Sequence, residues 1–176
     1  MTRRLLLAAA AGVLPLAAQD RLVPLDEAVY QKLIASARGK VLLVNFWATW
    51  CEPCRAEMPA LAKVAAGLRA QGFQLVTVSA DEPEDEAAAR QFLQKSGIQG
   101  PAYLKRVKND DAFITSVDPK WSGALPALIL FDRAGRKARA LTGETDLKAL
   151  EAAIRELLAA PLPDGRGSVT DAARKL

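Results

Sequence analysis

Three short apolar runs predict the strands of this chain. Val41–Trp47, Phe73–Ser79 and Ala127–Phe131 carry no charged residue and are rich in β-branched and aromatic side chains. The first run is apolar except for Asn45, a pattern typical of a strand buried on both faces of a parallel or mixed sheet. A polar turn follows the third run, and a return over residues 136–141 predicts a β-hairpin.

The segments between these runs repeat their apolar positions every three or four residues, as amphipathic helices do. Acidic residues open several of these segments and glycine follows their ends, both of which are helix boundary signals. Helices are therefore predicted over residues 25–37, 52–70, 81–96, 110–117 and 146–160, with a short extended piece over 101–105. Pro59 inside the second helix predicts a kink. Strands that alternate with helices imply right-handed crossovers and a parallel strand pair, hence an α/β fold.

The N-terminus has the layout of a secretory signal peptide. Arg3 and Arg4 precede an apolar run over residues 5–16, which small residues follow. The run is shorter than the roughly 20 residues of a membrane-spanning helix, and Leu16 stands where a small residue usually precedes the cleavage site. We expect residues 1–18 to direct export to the periplasm, either cleaved or retained as a membrane anchor. A buried N-terminal helix is the alternative.

The remainder divides into one domain and a tail. Residues 161–176 are rich in Pro, Gly and Ser and are expected to be disordered. Residues 19–160 contain all the predicted helices and strands and have the length of one ordinary domain.

Charge and composition argue against nucleic-acid binding and against chemistry that depends on histidine. The formal net charge is +4, and without Arg3 and Arg4 22 basic residues face 20 acidic ones. No stripe of Lys and Arg is interleaved with aromatic residues, so nucleic acid is not expected as a partner. The chain has no histidine, which removes the commonest metal ligand and the commonest general base.

Cys51 and Cys54, the only cysteines of the chain, are separated by two residues. A structural zinc site needs four ligands, so this pair would serve only in a site shared between two copies, and no metal is expected. A bridge across so small a loop removes little entropy from the unfolded chain, which makes stability a weak reason for the pair.

A reactive cysteine pair is the interpretation with positive support. The pair follows a buried strand and opens a helix, so Cys51 lies beside unpaired backbone N–H groups and the positive end of the helix dipole, which favour the thiolate. Pro53 is tolerated in the first helical turn. Cys54, one turn along, is expected to be more buried and to resolve a mixed disulfide between Cys51 and a substrate.

The stretch VLLVNFWATWCEPCRAEMPAL resembles the active-site segment of thioredoxin-fold proteins, and more narrowly that of the exported TlpA/ResA-type thiol-disulfide oxidoreductases. The NFWATWC lead-in, Trp50 and Pro59 all match, and the resemblance extends over about residues 25–160. It implies a thioredoxin-like fold with a central mixed β-sheet flanked by helices and an insertion before the cis-proline strand. It also implies that no cofactor is needed beyond the redox-active Cys51–Cys54 disulfide.

The resemblance further implies a substrate-binding wall opposite the cysteines. In SGALPALILFD, Pro126 stands at the place of the family's cis-proline, and Leu125 would offer its backbone to a substrate strand. Spacing alone would make Pro126 an ordinary strand-start proline. Trp121 is a candidate for the same groove, although such aromatics are more often core. The candidate substrate-binding residues are Trp50, Glu52, Pro53, Trp121, Leu125 and Pro126.

Three departures from thioredoxins bear on the chemistry. Asn45 occupies the position of their buried acid, a replacement that exported relatives share. Glu57 lies one helical turn after Cys54, and the resemblance implies that it tunes the pair and transfers protons; a solvated helix acid is the alternative. Glu52 between the cysteines should raise the pKa of Cys51, and ResA-like proteins share this Glu-Pro spacer, which favours a reductant.

We therefore expect an exported thiol-disulfide oxidoreductase that reduces protein disulfides. The resemblance alone implies apocytochrome c as a substrate, and a reductant in an oxidising compartment needs a membrane electron donor. A disulfide oxidase or isomerase of the same fold is the first alternative. A thiol peroxidase is less expected because Thr49 stands two, not three, residues before Cys51. A metal-delivery module is less expected because relatives of that kind have three residues between the cysteines and a distal histidine.

Overall fold

The computed structural model describes residues 21–161. The predicted signal peptide over residues 1–18, and the predicted tail after Pro161, lie outside this range. The strands of the described part are β1 (Val23–Leu25), β2 (Val41–Trp47), β3 (Phe73–Ser79), β4 (Ala102–Lys105), β5 (Ala127–Phe131) and β6 (Lys137–Thr142). Its α-helices are α1 (Glu27–Ser36), α2 (Glu52–Leu68), α3 (Glu86–Lys95), α4 (Asp110–Val117) and α5 (Leu147–Ala159). The three strands predicted from apolar runs are confirmed with unchanged bounds.

The six strands form one mixed sheet in the order β1-β4-β3-β2-β5-β6. The pairs β1–β4, β4–β3 and β3–β2 are parallel, whereas β2–β5 and β5–β6 are antiparallel. The parallel pair expected from the strand–helix alternation is therefore confirmed as β2–β3. β2 and β3 end, and β5 begins, at the same end of the sheet, because Trp47 pairs with Ser79 and Phe46 pairs with Ala127. This end of the strands is here called the upper edge.

Strand β2 lies at the centre of two hydrophobic clusters. Leu43 and Trp47 face the helices α2, α3 and α5, whereas Leu42, Val44 and Phe46 face α1 and α4. Alternate side chains of a strand point to opposite faces, so a run without polar interruption is buried on both. The predicted pattern of a doubly buried strand is confirmed, and Asn45 is buried with the rest.

The N-terminal strand was not predicted. The segment Val23–Leu25 pairs in parallel with β4 at the edge of the sheet, and Pro24 is tolerated there because an edge strand can lack one N–H. The helix predicted to begin at Leu25 begins at Glu27. Asp26 caps it, since the Asp26 carboxylate accepts a hydrogen bond from the N–H of Val29 at 2.8 Å.

The helix predicted over residues 81–96 begins later than expected. A short 3₁₀ turn at Pro83–Asp85 leads into α3, which begins at Glu86. The prediction was wrong for Asp81 because its side chain is buried at the upper edge, only 4% exposed, instead of lying on a helix surface. Within residues 21–161, no helix is both long and apolar enough to cross a membrane.

We expect Gly100→Ala to destabilise the fold. A Cβ atom at Gly100 would overlap the carbonyl oxygen of Leu75 in β3. The backbone of a central strand can move only slightly to relieve this overlap. The expected loss is about 1–3 kcal/mol in the free energy of unfolding, measured by denaturant titration.

Gly67→Ala is the matched control, because a Cβ atom at Gly67 in α2 meets nothing within 4 Å. Alanine is the better helix former, so this variant should be unchanged or more stable by up to about 1 kcal/mol. Equal effects of the two substitutions would contradict the close approach at Gly100.

Candidate active site

Cys51 and Cys54 form a disulfide at the junction of β2 and α2. Cys51 is the N-cap residue of α2, and its Sγ accepts a hydrogen bond from the backbone N–H of Cys54 at 3.3 Å. Cys51 retains 6% exposure whereas Cys54 has none. Of the two cysteines only Cys51 is therefore in contact with solvent, which is the asymmetry in burial that the sequence predicts.

Three of the candidate substrate-binding residues surround Cys51 at the surface. Trp50 is 70% exposed and, with Val23, is one of two large hydrophobic residues exposed in residues 21–161. Glu52 and Pro53 are also exposed, in the first turn of α2. The exposed Trp50 ring therefore leaves an apolar surface open to solvent next to Cys51.

Leu125 and Pro126 lie at the same edge of the sheet. The Leu125–Pro126 peptide bond is cis, as the resemblance implies. Because Ala127 pairs with Phe46 across β5 and β2, Pro126 lies level with the C-terminal end of β2, from which the chain enters the cysteine pair. Leu125 is half-buried, Pro126 is buried, and the N–H of Gly143 donates to the Pro126 carbonyl at 2.9 Å.

Trp121 supports this loop from behind. It is only 8% exposed, and its ring packs on that of Phe46 with centroids 4.8 Å apart. Its Nε1–H donates to the carbonyl of Ala124 at 2.9 Å, immediately before Leu125. The structure therefore places Trp121 beneath the loop that carries Leu125, where it holds the backbone in place instead of facing the solvent.

Glu57 lies one helical turn after Cys54 and is 9% exposed. Burial of the carboxyl group raises the pKa of Glu57 to about 7, and the nearby Thr145 side chain opposes part of the rise. Among the described residues, its Oε1 atom has no hydrogen-bond partner. An acid with a pKa near neutrality can take up and release a proton at the pH of most cells.

Asn45 is fully buried on the α2 face of β2. Its Nδ2 donates to the sulfur of Met58 at 3.6 Å, whereas its Oδ1 has no partner in the described part of the chain. An amide exchanges no proton in this pH range. Of Asn45 and Glu57, only Glu57 is therefore titratable in this pH range.

Asp81 is a residue of the site that the sequence analysis missed. It accepts hydrogen bonds from Thr49, two residues before Cys51, and from Ser79 at the end of β3. An acidic run begins at Asp81 and is typical of a helix N-terminus, so the sequence pattern places Asp81 on a helix and not in the site. The signal that could have revealed it is the period of two along β3, which puts Asp81 on the same face as Thr77 and Ser79.

The described residues contain no cluster of three or more Cys, Asp or Glu side chains that would hold a metal ion. The structure brings the two sulfurs and the buried carboxyl groups of Glu57 and Asp81 to the upper edge. Such a set suits the exchange of a disulfide and a dithiol.

The sequence is similar to those of several thiol-disulfide oxidoreductases. It is 26% identical to the thiol-disulfide oxidoreductase ResA of Bacillus thuringiensis over 120 residues, 68% of this chain and 65% of that protein. It is 31% identical to the ResA of Bacillus subtilis over 111 residues, 62% of this chain and 57% of that protein. The chain thus spans less than two thirds of the length of these curated relatives.

Solved structures agree with the fold. A candidate thiol:disulfide interchange protein DsbE from Chlorobium tepidum superposes with a TM-score of 0.59 and 28% identity, over 71% of this chain and 84% of that one. The thioredoxin-like fold, with its mixed sheet flanked by helices, is therefore confirmed. Residues 18–139, more than half of the sequence, match the AhpC/TSA family, and the chain belongs to that family.

Proposed function

We propose that this protein is a thiol-disulfide oxidoreductase that reduces protein disulfides through Cys51 and Cys54. The observation that carries the proposal is the disulfide at the N-terminus of α2, with a more accessible Cys51 and a fully buried Cys54 beside a cis-proline loop. The names of the ResA and DsbE relatives support thiol-disulfide exchange, without its direction.

The reduced protein would begin the reaction. The Cys51 thiolate attacks one sulfur of a substrate disulfide, forms a mixed disulfide and releases the other substrate sulfur as a thiolate, which takes a proton. Cys54 then loses its proton and attacks the Cys51 sulfur. This step forms the Cys51–Cys54 disulfide and releases the second substrate thiol, so two electrons and two protons have moved to the substrate.

The residues around the cysteine pair have different roles in these reaction steps. The backbone N–H groups at the start of α2 stabilise the Cys51 thiolate. Glu57 accepts the proton of Cys54 and returns it to the leaving substrate sulfur, because its raised pKa leaves both protonation states populated near pH 7. Leu125 offers backbone hydrogen bonds to an extended substrate segment, and Trp50 contacts its side chains.

The proposal also covers the cellular location of the protein, its substrate and its electron donor. The signal-like segment over residues 1–18 supports export to the periplasm, cleaved or membrane-anchored. The resemblance to TlpA/ResA-type proteins supports a role in cytochrome c maturation, with apocytochrome c as a substrate. Each turnover leaves the Cys51–Cys54 disulfide, so a membrane donor of two electrons would have to restore the dithiol.

A thiol peroxidase is less well supported by this geometry. Peroxide chemistry at Cys51 would need a hydroxyl group directed at its sulfur. The hydroxyl of Thr49, the nearest threonine in sequence, instead donates to Asp81 Oδ1 at 2.6 Å.

The reduction potential of the Cys51–Cys54 couple separates a reductase from an oxidase. We expect a value near or below about −230 mV at pH 7, because the Glu52 carboxylate opposes the Cys51 thiolate and so destabilises the reduced form relative to the disulfide. Equilibration with a dithiol buffer measures it. A value near about −120 mV would identify an oxidant and overturn the proposed direction of electron flow.

Matched cysteine variants test the order of attack. We expect Cys54→Ser to accumulate a mixed disulfide with oxidised glutathione, because Cys51 is accessible and nothing resolves the adduct. Cys51→Ser should form several-fold less adduct, because Cys54 is fully buried. Intact mass spectrometry measures both. Equal adducts would show that the two sulfurs are equally reachable and would contradict the assigned roles.

Glu57→Gln should flatten the dependence of stability on pH. The folded chain holds the Glu57 proton more tightly than the unfolded chain, since burial raises its pKa from 4.5 to about 7. This contribution to the free energy of unfolding is present below about pH 4.5 and is lost as the pH rises to about 7. Its size is roughly 3 kcal/mol at most, and denaturant titrations across this range measure it.

The exposed Glu156→Gln variant is the control and should keep the slope of the unmodified protein. If Glu57 also transfers the Cys54 proton, Glu57→Gln should slow turnover at pH 7 by about tenfold or more. A flattened slope with unchanged turnover would show that Glu57 is a buried acid without a part in the reaction.

A further inference from the structure

Asp81 is a buried carboxylate at the upper edge, two residues after the end of β3, and is 4% exposed. No Lys or Arg among the described residues forms an ion pair with it. A buried carboxylate is costly unless hydrogen bonds satisfy its oxygens. Here three neutral donors do so: the Thr49 N–H at 2.9 Å, the Thr49 hydroxyl at 2.6 Å and the Ser79 hydroxyl at 2.7 Å.

These bonds hold the segment that leads to the cysteines, residues 48–50. The N–H of Ala80 donates to the carbonyl of Trp47 at 2.8 Å, just before the segment. The N–H of Cys51 donates to the carbonyl of Ala48 at 3.2 Å, which closes the segment into a turn. Asp81 binds both polar groups of Thr49 at the middle of this turn.

We propose that Asp81 is a positioning residue for thiol-disulfide exchange, whose carboxylate fixes residues 48–50 and thereby the placement of Trp50 and Cys51. This inference rests on the proposed function. Asp81 forms no hydrogen bond with the sulfur of Cys51 or Cys54, and it acts through Thr49. The turn it holds presents Trp50 to solvent and seats Cys51 as the N-cap of α2.

Loss of this arrangement has two expected consequences. A substrate meets a mobile Trp50 and a less well placed Cys51, so kcat/KM falls, since small misplacements of reacting groups cost large factors in rate. A Cys51 thiolate displaced from the helix N-terminus is also less stabilised. The reduced form then becomes less favourable relative to the disulfide.

Two variants of Asp81 separate the hydrogen bonds from the charge. Asp81→Asn and Asp81→Ala both remove the carboxylate charge. Asn keeps an oxygen that accepts from Thr49 and an amide that can donate to the Ser79 hydroxyl oxygen. Ala keeps neither, so the two variants differ in these hydrogen bonds and in side-chain volume. Glu82→Ala, the exposed neighbouring acid, is the control for removal of a charge nearby.

We expect Asp81→Ala to have a kcat/KM for a protein disulfide about tenfold below that of Asp81→Asn. Its equilibrium constant for reduction by glutathione should be about threefold lower, equivalent to about 14 mV at 29.6 mV per tenfold change. Glu82→Ala should stay within about twofold of the unmodified protein in both measurements, a margin set by the weak screened effect of an exposed charge.

A purely structural role would lower stability without moving the glutathione equilibrium of the folded protein. If Asp81→Ala does not fold, Thr49→Val replaces it, since this substitution removes one donor and keeps the N–H. It should show a smaller shift in the same direction.

Equal kcat/KM and equal glutathione equilibria for the Ala and Asn variants would overturn the positioning role. Failure of the proposed function looks different: the unmodified protein would not reduce protein disulfides at all. The glutathione equilibrium can still be read in that case, because it needs only the Cys51–Cys54 couple and no protein substrate.

Discussion

The burial of β2 on both faces is the constraint on which the rest of the structure depends. Its side chains supply both hydrophobic clusters, so the strand can occupy only the centre of the sheet. The chain leaves that strand at the upper edge and turns within four residues into α2, which places Cys51 at a helix N-terminus. The unpaired N–H groups found there stabilise a thiolate. In this way the packing of an apolar strand determines where the reactive sulfur lies.

Two buried acids serve this site differently because their surroundings differ. The Glu57 Oε1 atom has no partner among the described residues, so burial acts on the carboxyl group largely unopposed and raises its pKa to about 7. Asp81 is buried to a similar degree but accepts hydrogen bonds from Thr49 and Ser79. An acid with free acceptor capacity suits proton transfer, whereas an acid surrounded by donors suits the fixing of a loop.

The loop opposite the cysteines is likewise supported from beneath. Trp121, in the insertion before β5, packs on Phe46 of the central strand and donates to the carbonyl of Ala124. The backbone proposed to receive substrate at Leu125 is thus tied to the same strand that delivers Cys51. Both walls of the site are therefore anchored on β2.

The sequence by itself determined the elements whose signals are local. The apolar runs of β2, β3 and β5 have the period and composition of strands, and the spacing of Cys51 and Cys54 at a strand–helix junction indicates a reactive pair without any tertiary information. Tertiary structure alone decided the roles that depend on burial. The short β1 exists because β4 offers it an edge, and Asp81 leaves the helix predicted for it because Thr49 and Ser79 satisfy its carboxylate inside the protein. Trp121 lies under its loop for the same kind of reason. Which side chain ends up buried depends on residues distant in sequence, and a local pattern cannot carry that information.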